Sequence, residues 1–204
     1  MRLGILGGSF DPIHYGHLLC AEVCLEQLPL DAVWFVPAAT APHKNDLVQA
    51  RPQQRSEMVD LAIAGHPALT NCSLEIDRGG LSYTVDTLAT IASQHPEATL
   101  FLLMGADSLV DFPNWRQPAR ICELAIPVVA ARPGQPPVDF QSLEQFADKE
   151  KIQQARQLAI TMPQLDLSSS DLRQRAAANL SLRYRTPPAV EQYIAANGLY
   201  QQEK

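Results

Sequence analysis

An alternation restricts the fold of this chain more than any other feature. Short apolar runs of strand length recur along it, and segments with helical periodicity separate them. The strand runs are Leu3 to Leu6, Ala32 to Val36, Cys72 to Ile76, Thr99 to Met104, Ala125 to Ala131 and Ala159 to Met162. Apolar runs of about 4–8 residues bounded by turn residues fit strands buried on both faces. The first helix covers His17 to Leu28, with Leu18, Cys20, Ala21, Cys24, Leu25 and Leu28 on one face and Pro29 closing it. Pro52 opens the next helix, which carries Met58, Val59 and Ile63 to Gly65. Further helices are expected at Thr84–Gln94, Asp107–Phe112, Gln117–Leu124, Ser142–Leu158, Ser168–Asn179 and from Pro187 to the Asn197-Gly198 stop. Strands alternating with helices predict an α/β fold, a Rossmann-like doubly wound parallel sheet with helices on both faces. Its crossovers should be right-handed.

The 204 residues are enough for one domain, and 46% of them are hydrophobic, so a core can form. A single domain over residues 1–200 with a polar tail at 201–204 is expected, without repeats or linkers. No apolar run approaches the roughly 18 residues of a membrane span. The first strand lacks the basic start and long apolar middle of a signal peptide, so the expected location is cytoplasmic. A net charge of −6 argues against a non-specific nucleic-acid binder, but it leaves room for a small polyanion held by a few local cations. Cys20, Cys24, Cys72 and Cys122 form no CxxC pair and read as buried reduced thiols. Trp34 reads as core.

In parallel sheets of this kind, ligands bind at the carboxyl ends of the strands. Gly7-Gly8, Pro37 to Lys44, Gly105 to Asp107 and Arg132 all follow strand ends. The first of these is a glycine-rich bend running into a helix, an arrangement that offers backbone N–H groups and a partial positive charge to a phosphate. Neither GxGxxG nor GxxxxGK[ST] is present, which removes the two commonest phosphate-binding turns. In their place stand His14 and His17 with Gly16 between them, which leaves room for a ligand to approach. Read alone, this pair has three explanations. Both imidazoles could face one anion, one could lie on the surface while the other caps the helix, or His14, His17 and Cys20 could begin a metal site that lacks a fourth ligand at suggestive spacing.

Gly8-Ser9-Phe10-Asp11-Pro12-Ile13-His14-Tyr15-Gly16-His17 resembles the GxFxPxHxGH signature of the nucleotidyltransferase superfamily. Within it, the chain resembles the bacterial nicotinate mononucleotide adenylyltransferases. The matching segments are Pro42-His43-Lys44, Arg55 to Met58, Ser82 to Leu88, Gly105-Ala106-Asp107, Trp115, Arg132-Pro133-Gly134, Ser168 to Arg173 and Val190 to Tyr200. They span nearly the whole chain in the family's order. Ala41 replaces the family's usual proline, and Ser170 its usual threonine; Ser170 keeps the hydroxyl.

The resemblance implies transfer of AMP from ATP to nicotinate mononucleotide, giving nicotinate adenine dinucleotide and pyrophosphate for NAD synthesis. It implies Mg²⁺ with the ATP, held by phosphate oxygens and water, and no protein metal site. His14, His17, Lys44 and Arg173 would carry catalysis. Gly7, Gly8, Ser9, Phe10, Gly105, Asp107, Arg132, Ser168, Ser169 and Ser170 would bind ATP. His43, Lys44, Ser82, Tyr83, Thr84 and Trp115 would bind the mononucleotide, Trp115 by stacking on the pyridine ring. Backbone N–H groups at the helix opened by Ser82-Tyr83-Thr84 suit a carboxylate better than a carboxamide. The partners implied are these two small molecules, with no nucleic acid and no membrane; the oligomeric state is not implied. Two rivals remain at this point, a phosphopantetheine adenylyltransferase on the same fold and a catalytically silent nucleotide-binding module.

Overall fold

The computed structural model describes residues 1–42, 49–131 and 138–201. The strands are β1 (Arg2–Gly8), β2 (Ala32–Pro37), β3 (Leu69–Asn71), β4 (Thr99–Gly105), β5 (Ala125–Ala131) and β6 (Ile160–Thr161). The helices are α1 (Tyr15–Gln27), α2 (Pro52–Ile63), α3 (Leu74–Arg78), α4 (Thr84–Gln94), α5 (Ala106–Asp111), α6 (Pro118–Leu124), α7 (Lys149–Gln157), α8 (Ser169–Ala177) and α9 (Pro188–Ala196). All six strands join one parallel sheet in the order β3-β2-β1-β4-β5-β6, flanked by the helices. The register runs Arg2↔Thr99 to Ile5↔Leu102 between β1 and β4, and Leu100↔Ala125 to Gly105↔Ala130 between β4 and β5. This is the expected Rossmann-like α/β fold, and the strand order reverses between β1 and β4. Among the described residues no helix is long and apolar enough to cross a membrane.

Residue contacts gather into two compact units, each discontinuous in sequence. The first comprises Met1–Gly7, Cys20–Trp34 and Tyr83–Gln164. Its interior holds Leu3, Ile5, Val33, Leu100 to Met104, Ile121 and Val128 to Ala130, all buried. Trp34 is only half-buried and meets His95 edge-on at 5.3 Å, so it is a margin residue rather than core. The second comprises Gly8–Leu19, Phe35–Ser82 and the chain from Leu165 onward. Phe10, Ile13, Phe35, Met58, Val59, Leu172, Val190 and Ile194 are buried there.

Two expected elements differ. Cys72 to Ile76 is not a strand: the strand lies earlier, at Leu69–Asn71, and Leu74–Arg78 is a helix. Five alternating residues cannot separate a strand from one helical turn, and the deciding signal comes after them. Gly79, at φ +68°, turns its N–H back onto the carbonyls of Glu75 and Ile76, which is a helix ending. The expected helix Ser142–Leu158 is also broken. A 3₁₀ turn spans Phe140–Leu143, and α7 starts only at Lys149. Asp139 and Asp148 cap these pieces, their carboxylates accepting from Gln141 N at 2.9 Å and Lys151 N at 2.8 Å.

None of the four cysteines is in a disulfide. Cys24 and Cys122 are buried, as expected, whereas Cys20 and Cys72 are only half-buried.

Candidate active site

The turn after β1 occupies the second unit and is held by an unusual density of polar bonds. Phe10 sits at φ +48° with its ring buried, 5.6 Å from the Phe35 ring, and it meets the edge of His17 at 5.1 Å. Its ring therefore backs His17 rather than facing outward. The His14 and His17 rings stack at 3.8 Å, with planes 22° apart. Gly16 N–H donates to His14 Nδ1 at 3.1 Å, and His14 N–H donates to His17 Nδ1 at 3.2 Å. A ring nitrogen that accepts carries no proton, so both imidazoles are neutral with the proton on Nε2. The space at Gly16 serves His14: a Cβ there would lie 3.0 Å from that ring.

Three successive carbonyls of the turn are each met by a side chain from the C-terminal part of the sequence. Arg173 Nη1 donates to Asp11 O at 2.8 Å, Ser169 Oγ to Pro12 O at 2.9 Å, and Thr186 Oγ1 to Ile13 O at 2.7 Å. Arg173 Nη2 reaches Ser170 Oγ at 3.2 Å, and Ser168 caps α8 by accepting from Asp171 N at 3.1 Å. The three serines and Arg173 thus do come together with the histidine turn, and two of them bind it directly.

Asp11 lies beneath this turn, fully buried. Its carboxylate accepts from Gln49 N at 2.8 Å, Ala50 N at 3.0 Å and the Tyr200 hydroxyl at 2.8 Å, with Arg173 Nη1 at 3.7 Å. Burial and the Asp11 charge push the Tyr200 hydroxyl far above its ordinary range, so it stays a donor. Arg55 is 1% exposed and donates to four carbonyls, of Ser9 and Ala38 at 2.6 Å, Ala39 at 3.1 Å and Ala50 at 3.2 Å. Burial lowers its pKa and the Asp11 charge opposes that shift. Arg55 thereby ties Ser9, the residues after β2 and the start of α2 around a cavity of about 190 Å³, lined also by Thr40, Ala41 and Pro52. Ser82 belongs to this wall: its Oγ accepts from Ala39 N at 2.9 Å and its N–H donates to Thr40 O at 2.9 Å.

The first unit carries a separate group. Tyr83 precedes α4 and Thr84 opens it. Arg116 lies 4.6 Å over the Tyr83 ring and 3.5 Å from Asp86, and Trp115, half-buried, packs on Phe112 with centroids 5.4 Å apart. Gly105 ends β4 and Asp107 is exposed in the first turn of α5; Gly7 is exposed near the end of β1. His43, Lys44 and Arg132 lie outside the described residues.

Asp11, Arg55, Thr186 and Tyr200 were not singled out as site residues from the sequence. Asp11, Arg55 and Tyr200 stood inside segments matched by the resemblance, whereas a lone Thr at 186 gives no sequence signal.

The cytidylyltransferase-like family matches residues 5–175. A probable nicotinate-nucleotide adenylyltransferase of Rhodopirellula baltica is 43% identical over 198 residues, spanning 97% of this chain and 92% of the relative. One of Roseiflexus castenholzii is 47% identical over 199 residues, spanning 98% of each. The fold is also that of Plasmodium falciparum nicotinic acid mononucleotide adenylyltransferase complexed with NaAD, at TM-score 0.72 and 20% identity over 98% of this chain and 97% of that one. The chain belongs to the cytidylyltransferase-like family and, within it, to the group of the nicotinate-nucleotide adenylyltransferases.

Proposed function

We propose that the chain transfers AMP from ATP to nicotinate mononucleotide, yielding nicotinate adenine dinucleotide and pyrophosphate. The observation that carries the mechanism is the tautomer of the histidine pair. With both Nδ1 atoms accepting backbone N–H groups, His14 and His17 present Nε2–H and act as donors rather than bases. The reaction needs no base. The nucleophile is a phosphate monoester whose second pKa is about 6, so it is already largely dianionic at neutral pH. Its oxygen forms a bond to the α-phosphorus as the α–β anhydride bond breaks, and pyrophosphate leaves with the electron pair. Donors fixed in advance stabilise the charge that shifts toward the leaving group.

Arg173 and Ser168 to Ser170 supply the cationic and hydroxyl side of the polyphosphate site, together with Gly7 to Phe10, Gly105 and Asp107. Lys44 and Arg132 complete it in this reading, and His43, Ser82, Tyr83, Thr84 and Trp115 take the mononucleotide. Mg²⁺ bound with ATP would supply further charge neutralisation. The ion would be held by phosphate oxygens and water. A cytoplasmic site of action belongs to the same reading, because ATP is supplied there.

The test is an assay with ATP and Mg²⁺ offering nicotinate and nicotinamide mononucleotide in parallel. Pyrophosphate release with the nicotinate form is expected. No release with either substrate overturns the function, and preference for the amide overturns the carboxylate argument.

A further inference from the structure

We infer that Thr186 is a positioning residue that fixes the tautomer of His17 through the peptide group joining Ile13 to His14. The use made of that tautomer rests on the adenylyl-transfer reading; the way it is fixed rests on hydrogen bonds of the turn alone.

Two bonds meet in one rigid unit. Ile13 C=O and His14 N–H belong to the same peptide, which resonance keeps planar, so the bond made by one atom sets the direction of the other. On the carbonyl side, Thr186 Oγ1 donates to Ile13 O at 2.7 Å. On the amide side, His14 N–H donates to His17 Nδ1 at 3.2 Å. That amide occupies the place a proton on Nδ1 would need, which leaves the ring proton on Nε2. A hydroxyl bonded to the carbonyl also polarises the amide and strengthens its bond to the ring.

Burial makes the hydroxyl hard to replace. Thr186 is 1% exposed and Ile13 0%, so bulk water does not reach the carbonyl. The Thr186 backbone is itself steadied on both sides. Pro187 follows and restricts it, and Arg185 O before it accepts from Tyr15 N at 3.0 Å. The peptides before and after His14 are therefore both held from Arg185 and Thr186. The two imidazoles differ in this respect. His14 Nδ1 takes the N–H of Gly16, inside the turn, whereas the amide on His17 Nδ1 is aimed from 169 positions beyond the ring.

Without the hydroxyl, the Ile13 carbonyl loses a buried donor and the peptide can turn. His14 N–H then leaves Nδ1, and the His17 proton can occupy either ring nitrogen.

The experiment compares the full chain as wild type, Thr186→Val and Thr186→Ser, each with and without His17→Ala. Histidine is isotopically labelled at its ring nitrogens, and the His17 signals are those lost in His17→Ala. Thr186→Val keeps the size and removes the hydroxyl; Thr186→Ser keeps the hydroxyl. Wild type and Thr186→Ser should show His17 protonated on Nε2 alone, and Thr186→Val a mixture of both tautomers. Thr186→Val should lower kcat about tenfold, less than the roughly 10²–10³ for a donor removed outright, with KM for either substrate changed by less than about twofold. Thr186→Ser should recover most of the loss. In the His17→Ala background the valine should cost no more than about twofold, since Thr186 acts through His17.

A wild type with the His17 proton on Nδ1, a single Nε2–H tautomer in Thr186→Val, a serine variant as impaired as the valine one, or an equal loss in the His17→Ala background overturns the inference. So does a Thr186→Val chain that does not fold, since the hydroxyl would then hold the turn together rather than orient one ring in it. A wild type that makes no dinucleotide overturns the adenylyl-transfer reading instead, and the spectra still decide the positioning role.

Discussion

The imidazoles of His14 and His17 stack 3.8 Å apart, and each is held by a backbone N–H on its Nδ1. Both rings are thereby locked as donors through the opposite nitrogen. His17→Ala should therefore lower kcat by about 10²–10³ while ATP affinity changes little, as for other donors aimed at developing charge. Steady-state kinetics with a parallel equilibrium binding measurement separates the two; a loss confined to affinity would contradict the assignment.

Gly16 carries a second test of the same pair. An added methyl meets the His14 ring at 3.0 Å, and that ring is buried and stacked, so it has little freedom to yield. Gly16→Ala should cost about 1–3 kcal/mol of stability by overpacking and should reduce kcat as well. Urea unfolding and turnover on the same preparation measure both.

Arg55 is expected to be a stability residue. Arg55→Met removes the donors of four carbonyl bonds and leaves Asp11 without its buried cationic neighbour. A loss of about 3–5 kcal/mol is expected in denaturant unfolding, typical of one partner removed from a buried charged network. Arg55→Lys should recover only part of it, because one ammonium cannot reach four carbonyls in a plane.

Cys122 supplies a pH dependence. Burial pushes its thiol up to about 11 from 9.0, and nearby Lys151 offsets only part of that. Above pH 9 the unfolded chain loses this proton while the folded chain keeps it, so unfolding is favoured as pH rises. Stability should fall between about pH 9 and pH 11, and Cys122→Ala should flatten the fall in a series of thermal melts. The same burial should make Cys122 slow to alkylate at pH 8 until the chain unfolds.

Much of the scaffold was legible because it rests on local chemistry. Thr84–Gln94 opens and closes where its apolar period begins and stops, and β4 and β5 are unbroken apolar runs between turn residues. The histidine turn was legible through a long motif. The Cys72 to Ile76 segment failed because five residues satisfy two periodicities at once. The region 142–158 failed because Asp148, inside the expected helix, caps a helix that starts only at Lys149. What stayed hidden in the site is of one kind. Asp11 is bonded to Tyr200 and Arg173, and Ile13 to Thr186, across separations of 162 to 189 positions. No local pattern encodes such a pair; only the folded chain brings the partners together.

That separation also bears on the order of synthesis. The glycine bend and both histidines leave the ribosome well before the groups that clamp the turn, the tyrosine following Asp11 by 189 positions. Contacts this distant form late, because the chain must first close a long loop. The nascent protein therefore carries His14 and His17 on an unclamped turn until Arg173, Thr186 and Tyr200 have been made.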